Sequence, residues 1–133
     1  MRHKIPAVGC AVLTLFAIAS LEAHHSPSAI FDMSKRVAVT GTLTRVDWIN
    51  PHIVVAMEAR SDGGKLDHWT FQSNPPSWYR SVGLARADFA KVVGQTVTVE
   101  GVRAKDGTLY GYMQKIKMPD GTLLELVNSA NPK

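Results

Sequence analysis

Residues 36–48 read RVAVTGTLTRVDW, and this stretch decides the fold. Apolar residues alternate with alanine and threonine as far as Leu43, which is the period-2 pattern of a half-buried strand. Val46 and Trp48 then continue the apolar face in the opposite parity. Together with Gly41, this change of phase predicts a β-bulge, which lets one long strand bend and serve both halves of a barrel.

The rest of the chain predicts a small all-β domain. Pro51 ends the first strand, because proline cannot donate a hydrogen bond to the ladder. Asn74 followed by Pro75 predicts the capped start of a short helix that ends near Gly83. Five more segments have strand character, at 52–60, 66–73, 95–103, 110–118 and 122–127.

The order of these elements favours one architecture. Three strands, a short helix and two or three more strands are the arrangement of the OB-fold, a partly open Greek-key barrel. We therefore predict a small OB-like Greek-key barrel of five to six strands, with a short helix between strands three and four. A β-sandwich is the alternative, although it does not need that helix.

The N-terminus predicts export. A basic start precedes an apolar run at 5–20 that is too short for a membrane span. We expect a signal peptide at 1–23, an N-terminal arm at 24–35 packed by Phe31, the OB-like domain at 36–128 and a frayed tail at 129–133. Cleavage after Ala19 instead of Ala23 is the alternative. The expected localisation is periplasmic or secreted in a bacterium, with membrane contact only through the signal peptide.

Composition limits the chemistry. The 133 residues carry a formal net charge of +4, which suits solubility and is not the footprint of a nucleic-acid-binding protein. The single cysteine, Cys10, lies within the predicted signal peptide. The exported chain is therefore expected to have no disulfide, no thiolate metal site and no cysteine nucleophile.

Four histidines are candidate metal ligands: His24, His25, His52 and His68. Without thiols, a transition-metal site must use nitrogen and oxygen ligands. If His24 is the first residue, its amine and ring nitrogen can chelate one ion. An imidazole from one of the other three would then complete a planar set suited to copper as Cu(II). The alternative is structural, with these side chains capping, packing or facing solvent.

The second candidate site is the loop at 48–52, which joins the first two strands. In OB-folds this loop borders the ligand face. Trp48 could stack a ring there, with Asn50 and His52 as polar neighbours. Tyr112, on the fifth strand, is the surface tyrosine best suited to binding. The alternative is a structural corner, in which Trp48 fills one end of the barrel and Asn50 caps a turn.

The remaining aromatic and basic residues are predicted to have structural roles, at the surface or in the core. Tyr79 and Tyr110 are predicted at the surface, and Arg103 belongs to a scatter of basic residues on a solvated face. The aromatic residues predicted in the core are Trp69, Phe71, Trp78 and Phe89.

An enzymatic site is not indicated. Paired carboxylates at a suggestive spacing, a Gly-x-Ser-x-Gly elbow, a His-Glu-x-x-His motif and a phosphate-binding glycine loop are all absent from the sequence. Asp67 and His68 are neighbours, but neighbouring side chains on a strand point to opposite faces. We therefore expect no catalytic dyad there.

Three motifs resemble a known family: His24-His25-Ser26 with Phe31-Asp32, then Trp48-x-Asn50-Pro51-His52, then residues 97–107, which read VTVEGVRAKDG. They are similar to those of small exported bacterial proteins known only as a domain of unknown function. The resemblance covers essentially the whole chain after the signal. It implies a histidine pair at the mature N-terminus, which favours cleavage after Ala23, and it implies no activity.

These observations predict a non-catalytic, exported binding module that uses the N-terminal histidine pair and the 48–52 loop. Its partner would be a small ligand or a periplasmic protein, and no nucleic acid is expected. A copper-handling protein is the first alternative, and a secreted enzyme or enzyme subunit is the second.

Overall fold

The computed structural model describes residues 26–126, which form a six-stranded, mostly antiparallel β-sheet with three short helices. The all-β prediction is confirmed. The helices are α1 (Pro27–Ile30), α2 (Pro76–Ser81) and α3 (Arg86–Ala90). The strands are β1 (Phe31–Asp47), β2 (Val54–Arg60), β3 (Leu66–Gln72), β4 (Thr96–Ala104), β5 (Tyr110–Lys117) and β6 (Leu123–Glu125). The predicted signal peptide, His24, His25 and the predicted tail lie outside the described residues.

Strand β1 is long enough to pair with two partners. Its first part pairs with β4 as far as Thr42, and its last part pairs with β2 from Thr42 onward. The register with β2 shifts between Leu43 and Arg45, so the predicted bulge is confirmed. Gly41 lies at the crossover, where a Cβ would come within 2.1 Å of the Glu58 carbonyl oxygen. Only glycine allows the two backbones to approach so closely.

The strand pairings form a circuit. The strand order is β3-β2-β1-β4-β5-β6, and β3 also pairs with β5 in parallel. The pairings therefore run from β1 through β2, β3, β5 and β4 and return to β1. At the β3–β5 contact, the fully buried Phe71 ring lies over Gly111, where a Cβ would come within 2.6 Å of Phe71 Cε1.

The main core lies inside this circuit and includes Tyr79. The predicted surface position of Tyr79 is wrong, because its side chain is fully buried against Phe89 and Trp48. Phe71 and Phe89 are fully buried as predicted, whereas Trp69 and Trp78 are partly buried and pack against the core. Helix α2 begins after Pro75, which makes no side-chain capping bond.

The end of the arm packs on a separate, smaller cluster. Phe31 is fully buried against Val102 and Ala104, with the rings of Tyr110 and Tyr112 at 5.2 and 5.6 Å. The β1–β4 register breaks after the next residue, Asp32, and resumes at residue 36. The first two residues of β1 are therefore attached to β4 and β5 as a short separate segment.

Candidate ligand-binding face

The 48–52 loop is attached to the protein at both ends. The Trp48 ring lies 5.4 Å from the Tyr79 ring and 5.7 Å from the Phe89 ring. At the other end, His52 Nδ1 donates a hydrogen bond to the backbone carbonyl of Ser73 at 3.1 Å. The Asn50–Pro51 peptide bond between them is cis. Both ring side chains thus fix the loop to the corner where β3 leads into α2.

The hydrogen bond to Ser73 defines the chemistry of His52. A carbonyl oxygen can only accept, so Nδ1 must carry the proton. In the neutral ring, Nε2 is then the acceptor nitrogen, and the His52 residue is exposed. Histidines that bind metals commonly have this arrangement, in which one ring nitrogen is fixed by a backbone carbonyl.

The tip of the loop is open to solvent. Ile49 is 54% exposed, and Asn50 and Pro51 are also exposed. The Asn50 amide is therefore available to an external partner. Trp48, by contrast, is partly buried and packs against the main core.

A buried pair of hydroxyl groups supports the corner beneath the loop. Ser73 Oγ and Tyr79 Oη form a short hydrogen bond, and both residues are fully buried. Burial raises the pKa of Tyr79 to about 12, although its hydrogen bond with Ser73 acts in the opposite direction. Next to this pair, Asn74 Nδ2 donates to the backbone carbonyl of Leu126 at 3.2 Å. Asn74 therefore holds the end of β6 and does not cap α2 as predicted.

The register of three strands defines a face that points away from the core. Residues directly opposite each other on paired strands project from the same side of a sheet. Residues of alternate parity, such as Val55, Met57 and Phe71, are buried on the inner side. We call the opposite side the outer face, and it comprises Val54, Ala56 and Glu58 of β2, His68, Thr70 and Gln72 of β3, and Tyr110 and Tyr112 of β5.

Polar contacts order the outer face. Tyr110 Oη donates a hydrogen bond to Gln72 Oε1 at 2.9 Å, which leaves the Gln72 amide N–H groups as donors. His68 Nδ1 lies 3.3 Å from Glu58 Oε1, in a pair that is open to solvent. Tyr112 is half-buried against Phe31. Burial raises the pKa of both Tyr110 and Tyr112, so each phenol is neutral and able to donate at physiological pH.

The structure brings some predicted site residues together and separates others. His52 bonds to Ser73, the residue that follows Gln72, and Gln72 pairs with Tyr112. His68 lies five residues along the chain from Ser73, which corresponds to roughly 16 Å of extended strand. His52 and His68 therefore cannot bind one ion.

No group of three or more His, Cys, Asp or Glu side chains that could hold a metal ion occurs within residues 26–126. His24 and His25 lie outside that range. Asp67 is turned to the opposite side of β3 from His68, near Lys65 at 3.9 Å, as expected for strand neighbours.

Comparison with known families places the chain. A family model described as a family of unknown function, DUF6152, matches residues 12–114. The chain belongs to this family. The match includes every residue of the outer face and the whole 48–52 loop, and it ends before β6. No curated protein matches this DUF6152 protein. Over residues 26–126, no helix has the length and apolar character needed to cross a membrane.

The sequence did not single out three residues that shape this DUF6152 protein near the site. Gln72 and Tyr110 form the central hydrogen bond of the outer face, yet they are 38 residues apart in the chain. Arg103 is half-buried, with its guanidinium carbon 5.5 Å from the centre of the Trp69 ring. It also donates to the carbonyl groups of Thr108 and Gly107, so it joins the β4–β5 turn to β3. The basic residues flanking that turn were the only signal for this role.

The arrangement is suited to binding a polar molecule. The donors are the amides of Asn50 and Gln72 and the Tyr112 hydroxyl, and the acceptor is His52 Nε2. Within residues 26–126, the two histidines bond to a backbone carbonyl and to a carboxylate, and neither bonds to a serine or threonine hydroxyl. These donor and acceptor groups can thus recognise a polar ligand.

Proposed function

We propose that this protein is an exported, non-catalytic binding module with an OB-like Greek-key barrel. Its ligand binds on the outer face, beside the 48–52 loop. The ligand is a small polar molecule or a segment of a periplasmic protein. The observation that carries the proposal is that Gln72 and Tyr112 are cross-strand partners at one end of the outer face, next to Ser73, to whose carbonyl His52 donates its hydrogen bond.

The strand circuit supports the barrel. An OB-fold has a bent first strand shared between two halves and a helix between its third and fourth strands. Here β1 pairs with both β2 and β4, and helices α2 and α3 lie between β3 and β4. The parallel β3–β5 contact then joins the two ends of the five-stranded circuit. Strand β6 adds to β5 outside that circuit.

The OB-like barrel in turn supports the location of the site. OB-folds bind ligands on the face of strands two and three, between the loops that follow strands one and four. In this chain, that face carries Thr70 and Gln72, and the first of those loops carries Asn50 and His52. A formal net charge of +4 without a basic run disfavours nucleic acid as the ligand.

A fragment screen followed by NMR tests this proposal. The probe would be a library of small neutral molecules, including monosaccharides and hydroxylated aromatic compounds, added to the ¹⁵N-labelled full chain. We expect amide shifts to cluster at residues 49, 50, 52, 72 and 112 for the fragments that bind. Asn50→Ala should weaken those fragments, whereas Ser77→Ala, an exposed change on α2, should not. Shifts confined to other surfaces would refute the proposal.

A copper-handling function is the second candidate, and the hydrogen bond from His52 to Ser73 favours it. That bond fixes Nδ1 as the protonated nitrogen and leaves Nε2 as a preoriented ligand. Phe31 is held against Tyr110 and Tyr112 on the outer face. His25 precedes Phe31 by six positions, so the N-terminal histidines are tied covalently to the outer face through Phe31.

Titration with Cu(II) alone tests the copper function. We expect His24→Ala and His52→Ala each to weaken binding by about tenfold or more. His68→Ala is the matched control, because His68 lies too far along β3 to share an ion with His52. Equal and weak binding by the wild type and all three variants would exclude copper and would leave the binding-module proposal to the fragment screen.

A further inference from the structure

The outer edge of β6 has backbone groups without a partner strand. Met118 N donates to Thr122 O, and Leu126 N donates to Gln114 O, each at 2.8 Å. Residues 122, 124 and 126 thus direct their backbone groups toward β5, and alternation directs those of Leu123 and Glu125 away from it. In the described part of the chain, β6 pairs with β5 and with no other strand. Among residues 26–126, the two N–H and two C=O groups of Leu123 and Glu125 therefore have no backbone partner.

The side chains of β6 do not protect this edge. Proteins usually blunt an exposed edge with proline, a bulge, charged side chains or a very short strand. Strand β6 is short but has no proline and no bulge, and its single carboxylate, Glu125, already lies 3.3 Å from Lys115 Nζ. Leu123 is 50% exposed. Beside the strand, Leu124 borders a groove of about 350 Å³, whose other apolar walls are Leu84, Val92 and Met118.

The outward N–H and C=O groups of Leu123 and Glu125 can pair with the same four groups of a second β6 strand. If two β6 strands pair antiparallel about a two-fold axis at Leu124, Leu123 faces the partner's Glu125 and forms a hydrogen-bonded pair with it. The same pairing occurs on the other side of the axis, so all eight groups of the two strands are satisfied. No other symmetric register uses both residues of each strand.

Charge and apolar surface agree with this pairing. The side chains across one row would be Lys117, Leu123, the partner's Glu125 and the partner's Lys115. Each carboxylate keeps its own lysine, and no two like charges face each other on adjacent strands. On the other side of the sheet, Leu124 would meet its equivalent at the axis, where the grooves of the two copies join.

We propose that two copies of this protein associate through their β6 edges into a continuous antiparallel sheet. We infer a second copy as the partner because, in the two-fold register, every outward N–H and C=O of Leu123 and Glu125 bonds to its counterpart on the other β6 strand. The three-residue strand limits the buried surface, so the dimer is weak and depends on concentration. The interface lies outside the outer face and is independent of the ligand proposed above.

Ultracentrifugation of the full chain from micromolar to near-millimolar concentration tests the association. We expect a reversible monomer–dimer equilibrium. Leu123→Pro removes one outward N–H from each strand without touching the bonds to β5, and it should weaken the dimer by about tenfold or more. Leu123→Ala keeps the N–H and should weaken it much less. Thermal unfolding of both variants verifies that they remain folded. A monomer at every concentration, or a dimer unchanged by Leu123→Pro, would overturn the proposal.

Cysteine cross-linking tests the register, in a Cys10→Ser background. Residue 124 forms the pair at the axis, with Cα atoms about 4.5 Å apart, which is within disulfide range. Residue 123 and its equivalent would lie about 9 Å apart, which is too far for a disulfide. We expect Leu124→Cys to form a covalent dimer on mild oxidation and Leu123→Cys to do so much more slowly, although Leu123 is the more exposed residue. Faster cross-linking at 123 would contradict the proposed pairing.

Discussion

His52 and Ser73 are joined by a hydrogen bond of 3.1 Å from the imidazole Nδ1 to the backbone carbonyl. This contact connects the β1–β2 loop to the end of β3, directly above the buried Ser73–Tyr79 hydroxyl pair. It therefore couples the proposed site to the core and fixes which ring nitrogen of His52 is available to a ligand.

Removing this contact should loosen the loop. We expect His52→Ala to lower the free energy of unfolding by about 1 kcal/mol, the typical net value of one hydrogen bond. Amide exchange at Ile49 and Asn50 should become faster, because the loop would then lose the side-chain hydrogen bond that fixes it beside Pro51. His68→Ala is the control, since the exposed pair of His68 with Glu58 is worth well under that amount. Urea titration and hydrogen exchange measure the two effects, and equal effects for the two variants would argue against an anchoring role.

The Ser73–Tyr79 hydrogen bond should contribute more to the free energy of unfolding than the His52–Ser73 bond does. Tyr79→Phe leaves the Ser73 hydroxyl buried without its partner, and we expect a loss of about 1–3 kcal/mol in unfolding free energy. Adding Ser73→Ala removes that unsatisfied group, so the double variant should lose less than the sum of the two single variants. Denaturant titration of all four proteins gives the coupling. Strict additivity would show that the two hydroxyl groups do not depend on each other.

The contact between Phe71 and Gly111 should tolerate no extra atom. A Cβ at position 111 would overlap the Phe71 ring, so Gly111→Ala should destabilise the protein by about 1–3 kcal/mol. Gly63→Ala provides a matched control, because no atom lies within 4 Å of a Cβ at that turn position. We expect it to change stability by no more than about 0.5 kcal/mol. A neutral Gly111→Ala variant would mean that β3 and β5 are farther apart than described.

Two turns should make stability depend on pH. The Asp106 and Asp120 carboxylates accept hydrogen bonds from the backbone N–H of Thr108 and Thr122, and these bonds lower the pKa of each aspartate below its ordinary 3.8. Because the pKa of each aspartate is lower in the folded state, its ionised carboxylate stabilises the fold above pH 3.8. That stabilisation is lost as the pH falls through the lowered pKa. The Asp106→Asn/Asp120→Asn variant keeps the acceptor oxygen but cannot titrate. Its melting temperature should therefore approach that of the wild type as the pH drops below 3.8. A constant difference would contradict this.

Local sequence signals were sufficient for most of the fold. The phase change after Leu43 predicted the β1 bulge, because parity along a strand reports directly which side is buried. All six strands were predicted, since period-2 patterns and glycine turns are also local. The parallel β3–β5 contact was not predicted in detail, because it joins segments about 40 residues apart.

The failures arose where tertiary contacts overrode local preference. Asn74 has the sequence context of a helix cap, but the backbone carbonyl of Leu126 takes its amide instead. Tyr79 lies on a helix of six residues, which is too short for its period to reveal a buried side. The Gln72–Tyr110 hydrogen bond could not be predicted either, since it depends on the β3–β5 register.

The central claim is that β3 and β5 pair in parallel and so build the outer face beside His52. The most direct measurement is the set of nuclear Overhauser effects from the Phe71 ring protons in the full chain. We expect strong cross-peaks to the α protons of Gly111, together with cross-peaks to Val55, which pairs with Phe71 across β2–β3. Cross-peaks to Val55 without any to Gly111 would show that the circuit is open and would contradict the claim.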